Sequence, residues 1–204
     1  MNQDLRRRLA AVVGNTGVGA DAVVHPSDVA QLREVLAASA SAGAIVSPAG
    51  SVTAGRADVI VAADRLDAIR LDDTAMLLHA GAAALWATVR ESAATKRLVV
   101  AGLPRVRSDR AGESVARGEI ARRALAGVAI LTTAGELITA GGRTLKDVVG
   151  YDLAGLVLGS GDRLGLIVSV TLRLEPAGAR IPTEAGTGPW RGNAGIDLIE
   201  AFAG

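Results

Sequence analysis

Residues 141–176 read GGRTLKDVVGYDLAGLVLGSGDRLGLIVSVTLRLEP, a segment in which glycines and apolar runs alternate at close spacing. Glycine is favoured where the backbone needs a positive φ, or where a partner must lie flat against the main chain. That density predicts a surface shaped for a ligand. The run at 164–174, rich in Val, Ile, Leu and Thr, comes just after Gly159, Ser160 and Gly161 and predicts a buried strand launched from a glycine turn.

Upstream, hydrophobic periodicity lays out the remaining elements. A helix is predicted over 5–13, stopped by Gly14. The GNTGVGA string that follows trails a helix rather than a strand and lacks an acidic residue at the distance a dinucleotide-binding turn needs, so it is read as helix termination. Ser27 or Asp28 can cap a second helix with Val29, Leu32, Val35 and Leu36 on its apolar face, and Gly43 ends it before a strand at 44–46. A turn-rich stretch, SPAGSVTAGR, separates that strand from one at 57–63, and a further strand is predicted at 76–79. Residues 82–93, with Leu85, Trp86 and Val89 on one side, predict an amphipathic helix, followed by a short strand at 98–101. The most polar part of the chain, 102–119, is predicted to be loop. A hairpin is expected from 125–132 and 137–139 across Ala134, Gly135 and Glu136. The Pro- and Gly-rich tail, 177–204, is weakly patterned except for a short helical stretch at 196–202, and is read as an interaction segment.

Composition narrows the partners. Half of the 204 residues are hydrophobic, enough for one substantial domain or two small lobes. Twenty-two basic and 21 acidic residues leave a net charge of +1, which provides no bulk attraction for nucleic acid or an anionic membrane. The series Arg105, Arg107, Arg110, Arg117, Arg122 and Arg123 is interleaved with Asp109, Glu113 and Glu119 and lacks aromatic residues for base stacking, so it reads as a solvated face. There is no cysteine, which excludes disulfides, thiolate nucleophiles, cysteine-ligated iron–sulfur clusters and cysteinyl flavin links within this chain. No apolar run approaches the roughly 18 residues of a membrane span, and the N-terminus lacks a signal-cleavage pattern. The expectation is a cytoplasmic protein able to dock peripherally on a membrane complex. His25 and His79 each sit in an apolar strand-like stretch without a metal-ligand companion, so they read as core or strand-edge residues, and no metal site is expected.

The block from Thr144 to Ile167 carries a resemblance. A threonine, a lysine, GYDL, a short apolar helix, GS, LG and an apolar strand follow one another as in the FAD-linked oxidases of the vanillyl-alcohol oxidase and p-cresol methylhydroxylase superfamily. The chain looks most similar to the FAD subunits of glycolate oxidase and D-lactate dehydrogenase, over roughly residues 20–178. The resemblance implies an α+β FAD-binding domain of the p-cresol methylhydroxylase (PCMH) type, made of two small α/β lobes, 1–67 and 68–176, with FAD between them. It also implies a cofactor set of Gly50, Ser51, Gly55, Arg56, Gly112, Tyr151, Asp152, Gly159, Ser160, Gly161, Gly165 and Ile167. Tyr151 and Asp152 can equally cap the following helix. The family's pyrophosphate loop corresponds to AGSVTAGR, where the paired glycines are missing, and its mid-domain loop keeps only Gly112. Arg56, with Arg105 or Arg107, can replace the lost amides by charge.

Two readings follow. In one, the chain is the FAD-binding subunit of an oxidoreductase acting on a small 2-hydroxy acid such as glycolate or lactate. Family members use histidines and arginines of a separate substrate domain, for which 204 residues leave no room, so no catalytic residue is assigned and a protein partner carrying that domain or an iron–sulfur relay is implied. In the other, the fold persists without flavin as a structural or assembly subunit of an oxidase complex.

Overall fold

The computed structural model describes residues 2–19, 21–49, 56–102, 108–141 and 152–178. The chain opens with α1 (Gln3–Val13), whose N-cap Asn2 accepts a hydrogen bond from the Leu5 amide and whose buried stripe is Leu5, Leu9 and Val13. Gly14, at φ +78°, ends it. Strand β1 (Val23–Val24) leads to α2 (Val29–Ser41), capped by Asp28, which accepts from the Gln31 amide. The Gln31 side chain accepts in turn from the amide of Ser27, the residue before the cap, a variant of the capping box. Next come β2 (Val46–Pro48) and β3 (Val59–Val61), and the three strands form a parallel sheet in the order β1-β3-β2. Strand β2 starts two residues later than predicted, because the Ala44 amide still donates to the Ser39 carbonyl at the end of α2.

The second sheet holds β4 (Ile69–Asp72), β5 (Leu77–Gly81), β7 (Leu125–Leu131), β8 (Leu137–Gly141) and β9 (Leu166–Pro176), ordered β4-β5-β9-β7-β8 and antiparallel throughout, with β6 (Leu98–Val100) paired to the end of β9. β4 was not anticipated: IRLD is short and half charged, and its strand state comes from pairing with β5. Helices α3 (Trp86–Ala94), α4 (Ala111–Ala116) and α5 (Leu153–Val157) cover this sheet. Helix α3 begins four residues later than its apolar pattern suggests. The amides of Ala82 and Ala83 donate to Val168 and Leu66, which holds that segment as a turn, and Leu85 is left 45% exposed.

Two packed cores result. One lies between the second sheet and α3, α4 and α5; the other lies between α1, α2 and the parallel sheet, and it also takes in Leu131 and Val168. Strand β9 serves both. Ile167 and Val168 are consecutive and both buried, Ile167 in the first core and Val168 in the second, beside the irregularity in β7–β9 pairing at Ala129 and Ile130. Burying each such side chain contributes about 1.5–3 kcal/mol, so this strand joins the lobes as well as bordering them.

The polar stretch predicted as loop contains α4, and every residue of that helix except Glu113 is buried. Its flanking charges hid a short helix made by tertiary contacts: Ser114 is fully buried and accepts from the Trp86 Nε1 at 2.8 Å, while Val115 is inaccessible. Among the described residues, no helix is long and apolar enough to cross a membrane.

Candidate functional site

Where the two sheets approach, a cleft of about 480 Å³ opens. One wall is the end of β2 and β3, from Pro48 and Ala49 to Ala62, Ala63 and Asp64. The facing wall is built from Ala82 and Ala83, from α4, and from the turn that carries Gly161 and Asp162 into Leu166 and Ile167. A second cavity of about 240 Å³ adjoins it, sharing Pro48, Val61, Asp162 and Leu166 and running on toward Leu36 and Ala40 of α2.

Local chemistry positions the facing wall. The amides of Ala111 and Gly112 donate to the carbonyls of Ala84 and Ala82, each at 2.9 Å, which docks the start of α4 on the turn before α3. A Cβ on Gly112 would stand 2.7 Å from the Ala82 Cβ, so the glycine permits that close approach. The glycine turn then lies over the other end of α4: the Gly159 amide donates to Val115 and the Gly161 amide to Ala116, satisfying carbonyls that a helix end leaves open. Gly161 adopts φ +61°, and a Cβ there would meet nothing within 4 Å. At Gly165, φ is +150° and a Cβ would sit 2.7 Å from the Leu131 carbonyl oxygen, so only glycine lets the turn rejoin the sheet.

The charged groups of the cleft are mostly engaged with one another. Glu113 and Arg117, one helical turn apart, pair at 2.6 Å. The Asp64 carboxylate lies 2.9 Å from the His25 Nδ1, and the Arg110 guanidinium donates to the Ala83 carbonyl at 3.0 Å. Asp162 differs. It adopts φ +60°, the Ile167 amide donates a hydrogen bond to its carboxyl, and burial pushes its pKa above the usual carboxylate range, with the negative charge of Glu113 adding to the rise. Among the described residues, no cation pairs with it within 4.0 Å.

Of the residues singled out from the sequence, Gly112, Gly161 and Ile167 line the main cleft and Gly165 lines the adjoining cavity. Gly159 underlies the turn against α4, and Ser160 lines neither cavity, its buried Oγ finding no hydrogen-bond partner among the described residues. Asp152 caps α5, accepting from the Gly155 amide at 2.9 Å, and forms a two-point pair with Arg122, whose Nε donates to Oδ2 at 2.7 Å. That guanidinium holds the Asp152 carboxyl below the usual range. Arg56 is exposed. Gly50, Ser51, Gly55 and Tyr151 lie outside the described residues, as do Arg105 and Arg107. His79 sits in β5 with its Nδ1 3.0 Å from the Thr171 Oγ1, a position within the sheet. Sequence reasoning missed Asp64, Asp162 and the alanine walls, and placed Arg110 and Glu113 on a solvated face. The available signal was Asp162 itself, a non-glycine in a turn whose neighbours are glycine.

No protein-family model and no curated protein matches the chain. Solved structures do. An alkyldihydroxyacetonephosphate synthase superposes with a TM-score of 0.59 at 12% identity, over 76% of this chain and 31% of that one. A BBE-like 1 variant of Physcomitrella patens gives 0.56 at 18%, over 76% and 36%. A Phl p 4 variant, a glucose oxidase, gives 0.58 at 14%, over 86% and 40%. The chain has the FAD-binding PCMH-type fold. It spans between 31% and 40% of the length of these structures, and the likeness is one of fold.

The PCMH-type fold implies FAD, and the described residues fit one part of it. Ala62, Ala63, Ala82, Ala83 and Ala116 with Gly112 and Gly161 present short side chains to the cleft, the kind of wall a flat ring requires. A phosphate, by contrast, needs free amides or cations. Here the first amides of α4 are spent on Ala82 and Ala84, Arg117 on Glu113, and one Arg110 nitrogen on Ala83. The described cleft therefore suits the uncharged portion of a flavin. Among the described residues, no group of three or more His, Cys, Asp or Glu is placed to hold a metal ion.

Proposed function

We propose that this chain is the FAD-binding module of an FAD-linked oxidoreductase, with the flavin in the cleft between the two sheets. The observation that carries the reading is the convergence of Gly112, Gly161 and Ile167 on one small-walled cleft at the lobe junction of a PCMH-type fold. The lobes correspond to 1–67 and 68–176, and 177–204 serves as a segment for a protein partner. Bound there, the flavin supplies a two-electron acceptor for oxidation of a substrate carbon. Gly161 and the alanines would leave room for the ring, with Ile167 packed in the core behind them and the α4 contacts bracing the wall. Gly50, Ser51 and Gly55, with Arg56, Arg105 and Arg107, are assigned to the pyrophosphate, cations standing in for the missing glycine pair. The GYDL, GS and LG block supports a place beside the glycolate and D-lactate enzymes, hence a small 2-hydroxy acid as substrate, with its binding groups brought by a partner polypeptide that also offers the electron relay.

Flavin absorbance of the purified protein, followed by fluorescence titration with FAD, tests this. One FAD per chain is expected, held more weakly than by a family member with an intact glycine loop; absence of binding to FAD, FMN and riboflavin overturns it. A flavin-free assembly subunit is the second reading, supported by the spent amides of α4 and by three carboxyl groups, Asp64, Glu113 and Asp162, lining the cleft.

A further inference from the structure

Asp162 is the one acidic residue of the cleft with no basic side chain paired to it among the described residues. Asp64 has His25 and Glu113 has Arg117, at 2.9 and 2.6 Å. Asp162 lines both cavities, so a molecule extending from one into the other passes this residue. Its backbone is in the left-handed region at φ +60°, which glycine adopts freely and aspartate accepts more readily than most other residues. Gly159, which lines neither cavity, shows that this turn uses glycine where only conformation matters. Non-glycine residues held in the left-handed region are enriched at functional positions. The backbone hydrogen bond from Ile167 leaves acceptor sites of this half-buried carboxyl open to a ligand.

We infer that Asp162 is a ligand-contacting residue which accepts a hydrogen bond from an N–H or O–H of the molecule in the cleft and so selects the uncharged, donor-bearing end of that molecule over a phosphate. This rests on the flavin reading, and in those terms the partner group is a ribityl hydroxyl or the ring imide N–H, both of which riboflavin shares with FAD. The charges around Asp162 agree with it. Glu113 on α4 and Arg117 at its C-cap, Asp64 beyond β3 and Arg110 before α4 also line the main cleft, and Arg163 lines the adjoining cavity. The two carboxylates repel a phosphate brought near Asp162, while Arg117 is committed to Glu113 and Arg110 donates to Ala83. A neutral donor meets no such repulsion and relieves the desolvated carboxyl.

The test compares the full chain with Asp162→Gly and Asp162→Asn by fluorescence titration with riboflavin and with FAD, after circular dichroism and a thermal melt confirm folding. Glycine suits φ +60° and removes the carboxyl; asparagine tolerates that φ and keeps one acceptor oxygen. Asp162→Gly is expected to bind both flavins about fivefold to tenfold more weakly, the worth of one hydrogen bond to a partly buried acceptor, with Asp162→Asn between it and the unaltered chain. Should the unaltered chain bind FAD but not riboflavin, the FAD comparison decides alone. Equal binding by Asp162→Gly, tighter binding by both variants, or a loss confined to FAD when riboflavin also binds overturns the inference while leaving the flavin reading intact. Failure of the unaltered chain to bind any flavin overturns both.

Discussion

Gly112 and Gly161 face the same cleft and lack a side chain for opposite reasons. At Gly112 the space is taken: the Ala82 Cβ and Cα lie 2.7 and 2.9 Å from where a methyl would go, so the glycine lets α4 sit on the turn before α3. At Gly161 nothing lies within 4 Å of that position, and the requirement is the backbone angle together with open space on the cleft side. One glycine builds the wall and the other leaves room in front of it. A glycine-rich pattern therefore marks a ligand surface only after packing glycines have been separated from open ones.

The largest expected effect comes from closing the packed position. Gly112→Ala should lower stability by about 1–3 kcal/mol in urea denaturation, the usual range for overpacking. Adding Ala82→Gly should restore part of that, since it removes the nearest of the three contacts and leaves the backbone ones. A Gly112→Ala protein as stable as the parent would erase the contrast between the two glycines.

Gly161→Ala meets no steric conflict, so its cost reduces to the left-handed backbone, about 1–2 kcal/mol. Gly161 lines the cleft and a methyl there would take up open space, so flavin affinity should fall in a protein that remains folded at 25 °C. The comparison is sharpened if Gly112→Ala affects chiefly the unfolding midpoint and Gly161→Ala chiefly the titration.

A smaller effect separates the two aspartates of the glycine-rich segment. Burial raises the folded-state pKa of Asp162 above 3.8, so its contribution is most favourable below that value and is lost as pH rises through the raised pKa. Asp162→Asn should thus raise the unfolding midpoint of the ligand-free protein at pH 7, an advantage that disappears as pH falls below 3.8. Asp152 has the opposite sign. Arg122 and the Gly155 amide depress its folded pKa, so the stability it contributes is present above 3.8 and lost as pH falls through the depressed value. The pair is largely exposed, with side-chain accessibilities of 44% and 57%, so Asp152→Asn should cost less than about 1 kcal/mol at pH 7 and less still near pH 3. Unfolding midpoints measured at both pH values for both variants check the two signs.

Much of the fold could be read along the chain because it rests on local rules. Gly14 and Gly43 end their helices, Asp28 caps α2, and the turn at Gly135 joins β7 to β8, each by a preference acting over a few residues. Strand β9 announced itself by a long β-branched run. Helix α4 did not, because its helical state depends on burial beside Trp86 and Ala82 rather than on its own propensity. Asp152 was placed among both cofactor neighbours and helix caps; its described contacts are those of a cap paired to Arg122, a partner 30 positions away.

The amino-acid sequence alone determined where the backbone turns, which runs are buried, and that residues 159–165 carry the left-handed conformations only glycine and a few others accept. Tertiary structure alone decided what those turns face. Asp64, Glu113 and Asp162 come from three distant parts of the chain, and the walls opposite one another are alanines with no pattern of their own. Their convergence follows from β9 burying neighbouring side chains in two different cores, a packing outcome that brings the lobes edge to edge and opens the cleft between them.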